Sequence, residues 1–182
     1  MTAVGNLFPA DILSSSARFP LGVLPTPLVA APRLGSHLGI DLFVKRDDLI
    51  GFAQAGTKTR ALELLVADAQ AQGCDCVVGC GGPDSNFLPA LAAATRVAAM
   101  DCHLVCFGDR PGGSPPLPPN LAMAGAWGAT ITFTGDPDRE RIETAADAYG
   151  AALAAAAGRR PYVLPRGGAT PVGAAGSARA VA

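Results

Sequence analysis

The sequence has few aromatic side chains, no excess of charge of either sign and no long apolar run. Aromatic residues make up only 5% of the 182 residues, and alanine supplies much of the 49% hydrophobic content. The 14 basic and 15 acidic side chains leave a net charge of −1, which gives no basic surface for nucleic acid or an anionic membrane. No apolar run reaches the ~18 residues of a membrane-spanning helix.

Cysteine and histidine are also scarce. The chain has five cysteines, an odd number, and its first twenty residues lack the basic and apolar segments of a signal peptide. Both features argue against a disulfide framework and predict a cytoplasmic protein. The only histidines are His37 and His103, and the cysteine spacings match no common zinc site. The sequence therefore predicts no metal site.

Short apolar runs alternate with helical patterns from residue 41 onward. The predicted strands are DLFVKRDD (41–48), CDCVVGC (74–80), CHLVCF (102–107), ATITF (129–133) and PYVLP (161–165). The predicted helices are 57–73, 84–99, 121–126, a helix that begins at Asp136-Pro137, and a last helix after the glycine-rich turn at residue 166. Strands separated by helices, without hairpin signals, predict βαβ units and an α/β fold with a parallel sheet.

Ligands of such sheets collect at the carboxyl ends of the strands. The segments 79–86, 107–119 and 166–172 each follow a predicted strand and should meet at that edge. Helix N-termini gather at the same edge and favour anionic groups.

A lysine begins the first long helix, within the run AGTKTRALELL at 55–65. Lys58 lies at the end of the helix where the macrodipole disfavours a positive charge. The residues alone leave two interpretations open, because Lys58 can be an ordinary solvated side chain or an amine that the glycine-containing turn holds against a ligand.

Five segments together carry a family resemblance. They are LPTPL (24–28), KRDDLIGF (45–52), GTKTRALE (56–63), GGPDSN (81–86) and YVLPRGGATPVGAAG (162–176). In order and spacing they resemble the 1-aminocyclopropane-1-carboxylate deaminase and D-cysteine desulfhydrase family. That resemblance implies pyridoxal 5′-phosphate as the cofactor and the tryptophan-synthase β-like fold.

The resemblance also implies roles for individual residues. Lys58 would form the Schiff base with the cofactor, and its amine could then serve as a general base. Asn86 would hydrogen-bond the cofactor's 3′ oxygen, and Ser85 would contact the substrate carboxylate or assist proton transfer. Thr57, which stands where the family usually has asparagine, could still donate a hydrogen bond at the cofactor. Without the resemblance, Ser85 and Asn86 are interpreted as residues of an ordinary helix start.

Two further departures from the family bear on the substrate. Asp84 stands where the family often has glutamine, and a carboxylate there would repel a substrate carboxylate unless it faces away. Phe87 follows Asn86 where the family tends to place a polar residue. The substrate class implied is a small amino acid, and the reaction is deamination, β-elimination with desulfhydration, β-replacement or cyclisation.

The resemblance runs from about Arg18 to the last residue but covers only the first half of the family. It implies that residues 1–44 form an arm of the large domain, 45–155 the small α/β domain, and 156–182 the start of an incomplete large domain. The missing half would carry the phosphate-binding loop, so the expected partner is a second protein chain that completes the large domain. No nucleic acid or membrane partner is expected.

Three functions remain open at this point. The first is a subunit of a split pyridoxal-phosphate enzyme. The second is a non-catalytic or regulatory subunit that retains Lys58 unused. The third is a dinucleotide-binding domain that uses GCGGPDS at 79–85, although Asp84 stands at the third glycine position of that fingerprint.

Overall fold

The computed structural model describes residues 17–110 and 117–180. Its first elements are two short antiparallel strands, β1 (Leu28–Ala30) and β2 (Phe43–Lys45), with helix α1 (Pro32–Leu38) between them. The predicted strand at 41–48 is therefore confirmed only at its centre, and its assignment to the parallel sheet is wrong. Its partner β1 is three residues long and closely flanked by prolines, so it carries too few residues for an alternating pattern to be recognised.

The other four strands form a parallel sheet in the order β5–β4–β3–β6. They are β3 (Cys76–Gly81), β4 (Asp101–Cys106), β5 (Thr130–Phe133) and β6 (Pro161–Val163). All residues of the central strand β3 are buried, as expected for a strand covered on both faces. The prediction of an α/β fold with a parallel sheet is confirmed for these strands.

The five helices that accompany the sheet are α2 (Lys58–Ala71), α3 (Phe87–Val97), α4 (Pro119–Ala126), α5 (Ile142–Ala157) and α6 (Pro171–Ala178). The apolar faces of α2, α3 and α4 share one core with Val77 and Leu104 of the sheet. Helix α5 covers the opposite face, where it packs on Val78 and Val105. Alternate residues of β3 and β4 thus enter two separate cores on the two faces of the sheet.

The helix predicted to begin at Asp136-Pro137 begins later. Asp136 accepts a hydrogen bond from the backbone N–H of Asp138 at 2.9 Å, which closes a turn rather than a helix cap. Asp138 is extended and caps a 3₁₀ turn (Arg139–Arg141) by accepting from the N–H of Glu140, and α5 follows. The start of α3 is shifted in the same direction, from the predicted residue 84 to Phe87.

The carboxyl-terminal segment packs closely on the sheet and on helix α2. Strand β6 pairs with β3, and Gly150 of α5 lies against Val163 of β6. Helix α6 packs on α2 so closely that Gly176 contacts the backbone of Arg60. The division of the chain at residues 44 and 155 stays a prediction, and residues 1–16 of the predicted arm lie outside the described residues. No helix within 17–110 and 117–180 is long and apolar enough to span a membrane.

Candidate functional site

Lys58 is the first residue of α2 and follows a turn with an unusual backbone. Ala53 and Gln54 have φ values of 41° and 55°, in the left-handed region that side chains other than glycine rarely adopt. Each such residue costs roughly 1–2 kcal/mol, and strain of this kind is concentrated at functional sites. The turn closes with the N–H of Lys58 donating to the carbonyl of Ala55 at 3.1 Å.

The Lys58 side chain is half-buried in the wall of an open groove of about 480 Å³. Thr57 and Ala61 lie on the same wall, and residues 167–171 with the start of α6 form the other. Within the described part of the chain, the Lys58 amine makes no hydrogen bond or ion pair. It is therefore available to a ligand in the groove.

Gly168 connects this groove to the start of α3. Its φ is 68°, and a Cβ at this position would lie 2.9 Å from side-chain atoms of both Leu65 and Phe87. Only glycine fits such a backbone without displacing its neighbours. Phe87 directly follows Asn86 in the chain, so the glycine turn and the Ser85-Asn86 segment meet at the same edge of the sheet.

Ser85 and Asn86 both have partners within the protein. The Ser85 hydroxyl accepts a hydrogen bond from the N–H of Phe87 at 3.2 Å, as a residue at an ordinary helix start would. The Asn86 side-chain oxygen accepts from the amide of Asn120 at 3.0 Å. No hydrogen bond between described residues joins Lys58 to either of them. The predicted roles of Lys58, Thr57, Ser85 and Asn86 stay predictions.

Asn120 is a site residue that the sequence analysis missed. It is the second residue of α4, and its Nδ2 donates both to Asn86 and to the carbonyl of Asp84, the latter also at 3.0 Å. The only signal in the sequence is a polar side chain at the start of a short, otherwise apolar helix.

A buried ion pair anchors α2 two residues beyond Lys58. The guanidinium of Arg60 donates to both oxygens of Asp47, at 2.6 Å from Nε and 2.8 Å from Nη2. Thr26 donates to the same carboxylate at 2.7 Å. The hydrogen bonds from Arg60 hold the pKa of Asp47 below its ordinary value. The KRDD segment thus positions the helix start that carries Lys58.

A second buried carboxylate attaches the N-terminal segment to the same helix. Glu63, only 1% exposed, accepts from the N–H groups of Leu21 at 2.9 Å and Gly22 at 3.0 Å. Arg18 forms an ion pair with its other oxygen at 3.4 Å. Helix α2 is therefore fixed from both the β2 side and the N-terminal side.

Lys45 is the only other lysine of the chain, and a hydrogen bond holds its amine. Its amine donates to the carbonyl of Thr26 at 2.8 Å. The two lysines therefore differ in availability, since one is held by the backbone and the other has no described partner.

Gly79 and the thiols of β3 and β4 serve packing. Gly79 contacts Leu91 of α3, so its lack of a side chain lets the helix approach the strand. Four of the five thiols are buried, and burial raises the pKa of Cys76 and Cys80 to about 11 and of Cys102 and Cys106 to about 12. No group of three or more potential metal ligands comes together within 17–110 and 117–180.

The sequence of the chain matches a family model and named relatives. The family model described as "Pyridoxal-phosphate dependent enzyme" matches residues 20–182. A "Putative 1-aminocyclopropane-1-carboxylate deaminase" of Pyrococcus abyssi is 34% identical over 171 residues, and its namesake in Pyrococcus horikoshii is 32% identical over 173 residues.

The similarity extends to structure and is limited in length. A crystal structure of an "ACC deaminase homologue" superposes with a TM-score of 0.79 at 32% identity, over 93% of this chain and 50% of that one. The two Pyrococcus matches also cover 93% of this chain, and 50% and 51% of those proteins. The chain thus spans about half the length of the curated relatives it matches.

Proposed function

The chain belongs to the pyridoxal-phosphate-dependent enzyme family, and on that premise we propose that Lys58 is the residue that binds the cofactor covalently. The carrying observation is the Lys58 amine in the wall of the groove, which has no partner among the described residues. The enzyme acts on a small amino acid, of the type that the name of its deaminase relatives indicates.

The side chains present fit the aldehyde end and the ring of the cofactor. A free primary amine is the group that condenses with an aldehyde, and Lys58 offers one. On the opposite wall, a Cβ at Gly167 would meet no protein atom within 4 Å, so this backbone leaves open space for a flat ring. The side-chain oxygen of Asn86 accepts a hydrogen bond from Asn120, so its N–H₂ group can donate to a ring oxygen.

Each proposed residue then has a chemical task. When bound, pyridoxal phosphate supplies an aldehyde and an electron-withdrawing ring that weakens bonds at the substrate's α-carbon. Lys58 would hold the cofactor until a substrate amine displaces it, and its freed amine would then move a proton at that carbon. Ser85 would orient the substrate carboxylate, and Thr57 and Asn86 would donate to the cofactor. Deamination, elimination, replacement and cyclisation all use this set of groups.

A complementary half would supply the phosphate site and cover the apolar surface of the β1–β2 ribbon. We define this ribbon patch by large side chains of β1, α1 and β2, including Leu28, which is 63% exposed, and Phe43, which is 57% exposed. Exposed apolar surface costs roughly 25 cal/mol per Å² relative to burial. We propose a second protein chain as the partner, with an interface above ~2,000 Å².

The test is chemical trapping in the assembled protein. The chain is co-expressed with a candidate complementary half, and the complex is isolated by size-exclusion chromatography with light scattering. Pyridoxal phosphate is added, and borohydride reduces the C=N linkage formed by an amine and the aldehyde. Peptide mapping is expected to show the label on Lys58, and Lys58→Ala is expected to abolish it.

Lys45 serves as the internal control, because its amine is engaged with a backbone carbonyl. A label on Lys45 with none on Lys58 would refute the assignment. A monomer that binds the cofactor tightly and turns over an amino acid unaided would refute the need for a partner. Trapping on Lys58 without turnover of any small amino acid would instead support a non-catalytic subunit.

A further inference from the structure

Asn120 forms hydrogen bonds with the segment that carries Ser85 and Asn86, which is distant from it in sequence. Its Nδ2 lies 3.0 Å from the Asn86 side-chain oxygen and 3.0 Å from the carbonyl of Asp84, 34 and 36 positions earlier in the chain. It is the second residue of α4, a helix with Pro118 at its N-cap and no side-chain cap. Its side chain is directed to the segment just before α3.

The pair of hydrogen bonds determines which way both amides face. The carbonyl of Asp84 can only accept, so the atom of Asn120 that faces it must be the N–H₂ group. The same group lies against Asn86, so the atom of Asn86 that faces it must be the oxygen. The Asn86 N–H₂ group is thereby the end of that amide left for another acceptor.

We propose that Asn120 is a positioning residue that fixes the Asn86 amide with its N–H₂ group presented to the cofactor's 3′ oxygen. This inference rests on the proposed function for the role of Asn86, and on the two hydrogen bonds for the role of Asn120. An unrestrained amide could present either its oxygen or its N–H₂ group to a ligand. A fixed amide presents a donor only, and a donor stabilises the ionised form of a ring oxygen.

Asn120→Asp is the sharpest variant. A carboxylate can only accept, so it cannot bond the Asp84 carbonyl or the Asn86 oxygen. The Asn86 amide is then expected to turn over and donate its N–H₂ group to the new carboxylate. The atom left for the cofactor becomes an oxygen, which repels an ionised ring oxygen. Asn120→Ala removes the restraint without imposing the reversed orientation.

The first measurement needs no cofactor. Side-chain amide signals of Asn86 in ¹H–¹⁵N spectra of the complex, assigned by their absence in Asn86→Ala, are expected to shift in Asn120→Asp and to show greater mobility in Asn120→Ala. Gln72→Ala is the matched control, because it removes another exposed amide hydrogen bond, from Gln72 to Asp68 at 2.9 Å. It should leave the Asn86 signals unchanged.

The second measurement uses pyridoxal phosphate as the probe. Asn120→Asp is expected to weaken its binding roughly ten- to a hundredfold, the loss of about one charge-assisted hydrogen bond. The pH midpoint of the visible absorbance change should move upward, because a lost donor no longer favours the deprotonated form. In an Asn86→Ala background, Asn120→Ala should have no further effect on affinity or spectrum.

Two results would overturn the inference. One is an Asn86 amide that keeps its signals in Asn120→Asp. The other is an effect of Asn120→Ala on the spectrum that persists undiminished in Asn86→Ala. If wild-type protein does not bind pyridoxal phosphate and Lys58 is not trapped, the proposed function fails. The cofactor-free amide signals still decide in that case whether Asn120 orients Asn86.

Discussion

Helix α2 carries two kinds of charged side chain within its first two turns. Arg60 and Glu63 are 7% and 1% exposed, and each is bonded to groups from other segments. Lys58, at the helix start, is half-buried in the groove wall, and its amine has no partner in the described part of the chain. The buried charges of α2 therefore stabilise the fold, whereas the Lys58 amine at its start is available to a ligand.

This difference shows that hydrogen bonds and ion pairs to other segments distinguish a structural charge from one that is available for function. A buried charge is tolerated only when hydrogen bonds replace its hydration, as Asp47 and Thr26 do for Arg60. Removing one partner of such a pair leaves the other charge uncompensated. Lys58 has no described partner to leave uncompensated, so the effect of its removal should fall on ligand binding rather than on stability.

The largest expected effect is that of Asp47→Ala. It leaves the Arg60 guanidinium buried without its carboxylate, and breaking a buried pair in this way costs roughly 3–5 kcal/mol. The free energy of unfolding from urea titration of the assembled protein checks the value. Asp48→Ala is the matched control, because its pair with Arg46 is exposed and such pairs contribute little. Equal losses in both variants would contradict the structural role of Asp47.

Acid unfolding sharpens the same comparison. The hydrogen bonds from Arg60 hold the pKa of Asp47 below its unfolded value of about 3.9. The stabilisation from this group is therefore fully present above that pH and is lost as the pH falls through the lower, folded-state pKa. Asp47→Asn should lower the free energy of unfolding at neutral pH. Below pH ~4, the free energy of unfolding of this variant should depend less steeply on pH than that of the wild type. Parallel acid curves for both proteins would count against the pair.

The next effect in size concerns the opposite wall of the groove. Gly167 and Gly168 both have φ of 68°, but only Gly168 is crowded by Leu65 and Phe87. Gly167→Ala should cost about 1 kcal/mol from backbone strain, and Gly168→Ala about 2–4 kcal/mol because overpacking is added. Urea unfolding of the two variants separates strain from crowding. Equal losses would show that the contact with Phe87 does not constrain the turn.

The smallest effect on stability is expected for Lys58→Ala. The amine has no described partner, so the free energy of unfolding should change by no more than about 0.5 kcal/mol. Urea unfolding without cofactor measures this, alongside the loss of trapping. A loss comparable to that of Asp47→Ala would mean that Lys58 is a structural charge, and the distinction drawn on α2 would fail.

Local patterns in the sequence were sufficient for most of the sheet and for the beginning of the site. Apolar runs with a strand period, interrupted by helical patterns, predicted β3 to β6 and their parallel pairing. They missed β1 and placed β2 in the wrong sheet, because two three-residue strands offer no period and their pairing depends on the return of the chain after α1. They also placed the start of α5 too early, because a turn at Asp136 and a helix cap use the same residue types.

The sequence by itself determined the α/β class, the family and the position of Lys58 at a helix start in a glycine-containing turn. Only the tertiary structure decided that Asp47 meets Arg60, that Gly168 lies between Leu65 and Phe87, and that Asn120 bonds Asn86. Periodicity and capping signals report on residues a few positions apart, within one helix or strand. Contacts between segments that are distant in sequence depend on how the packed layers bring loops together. No local sequence pattern encodes which distant loops will meet.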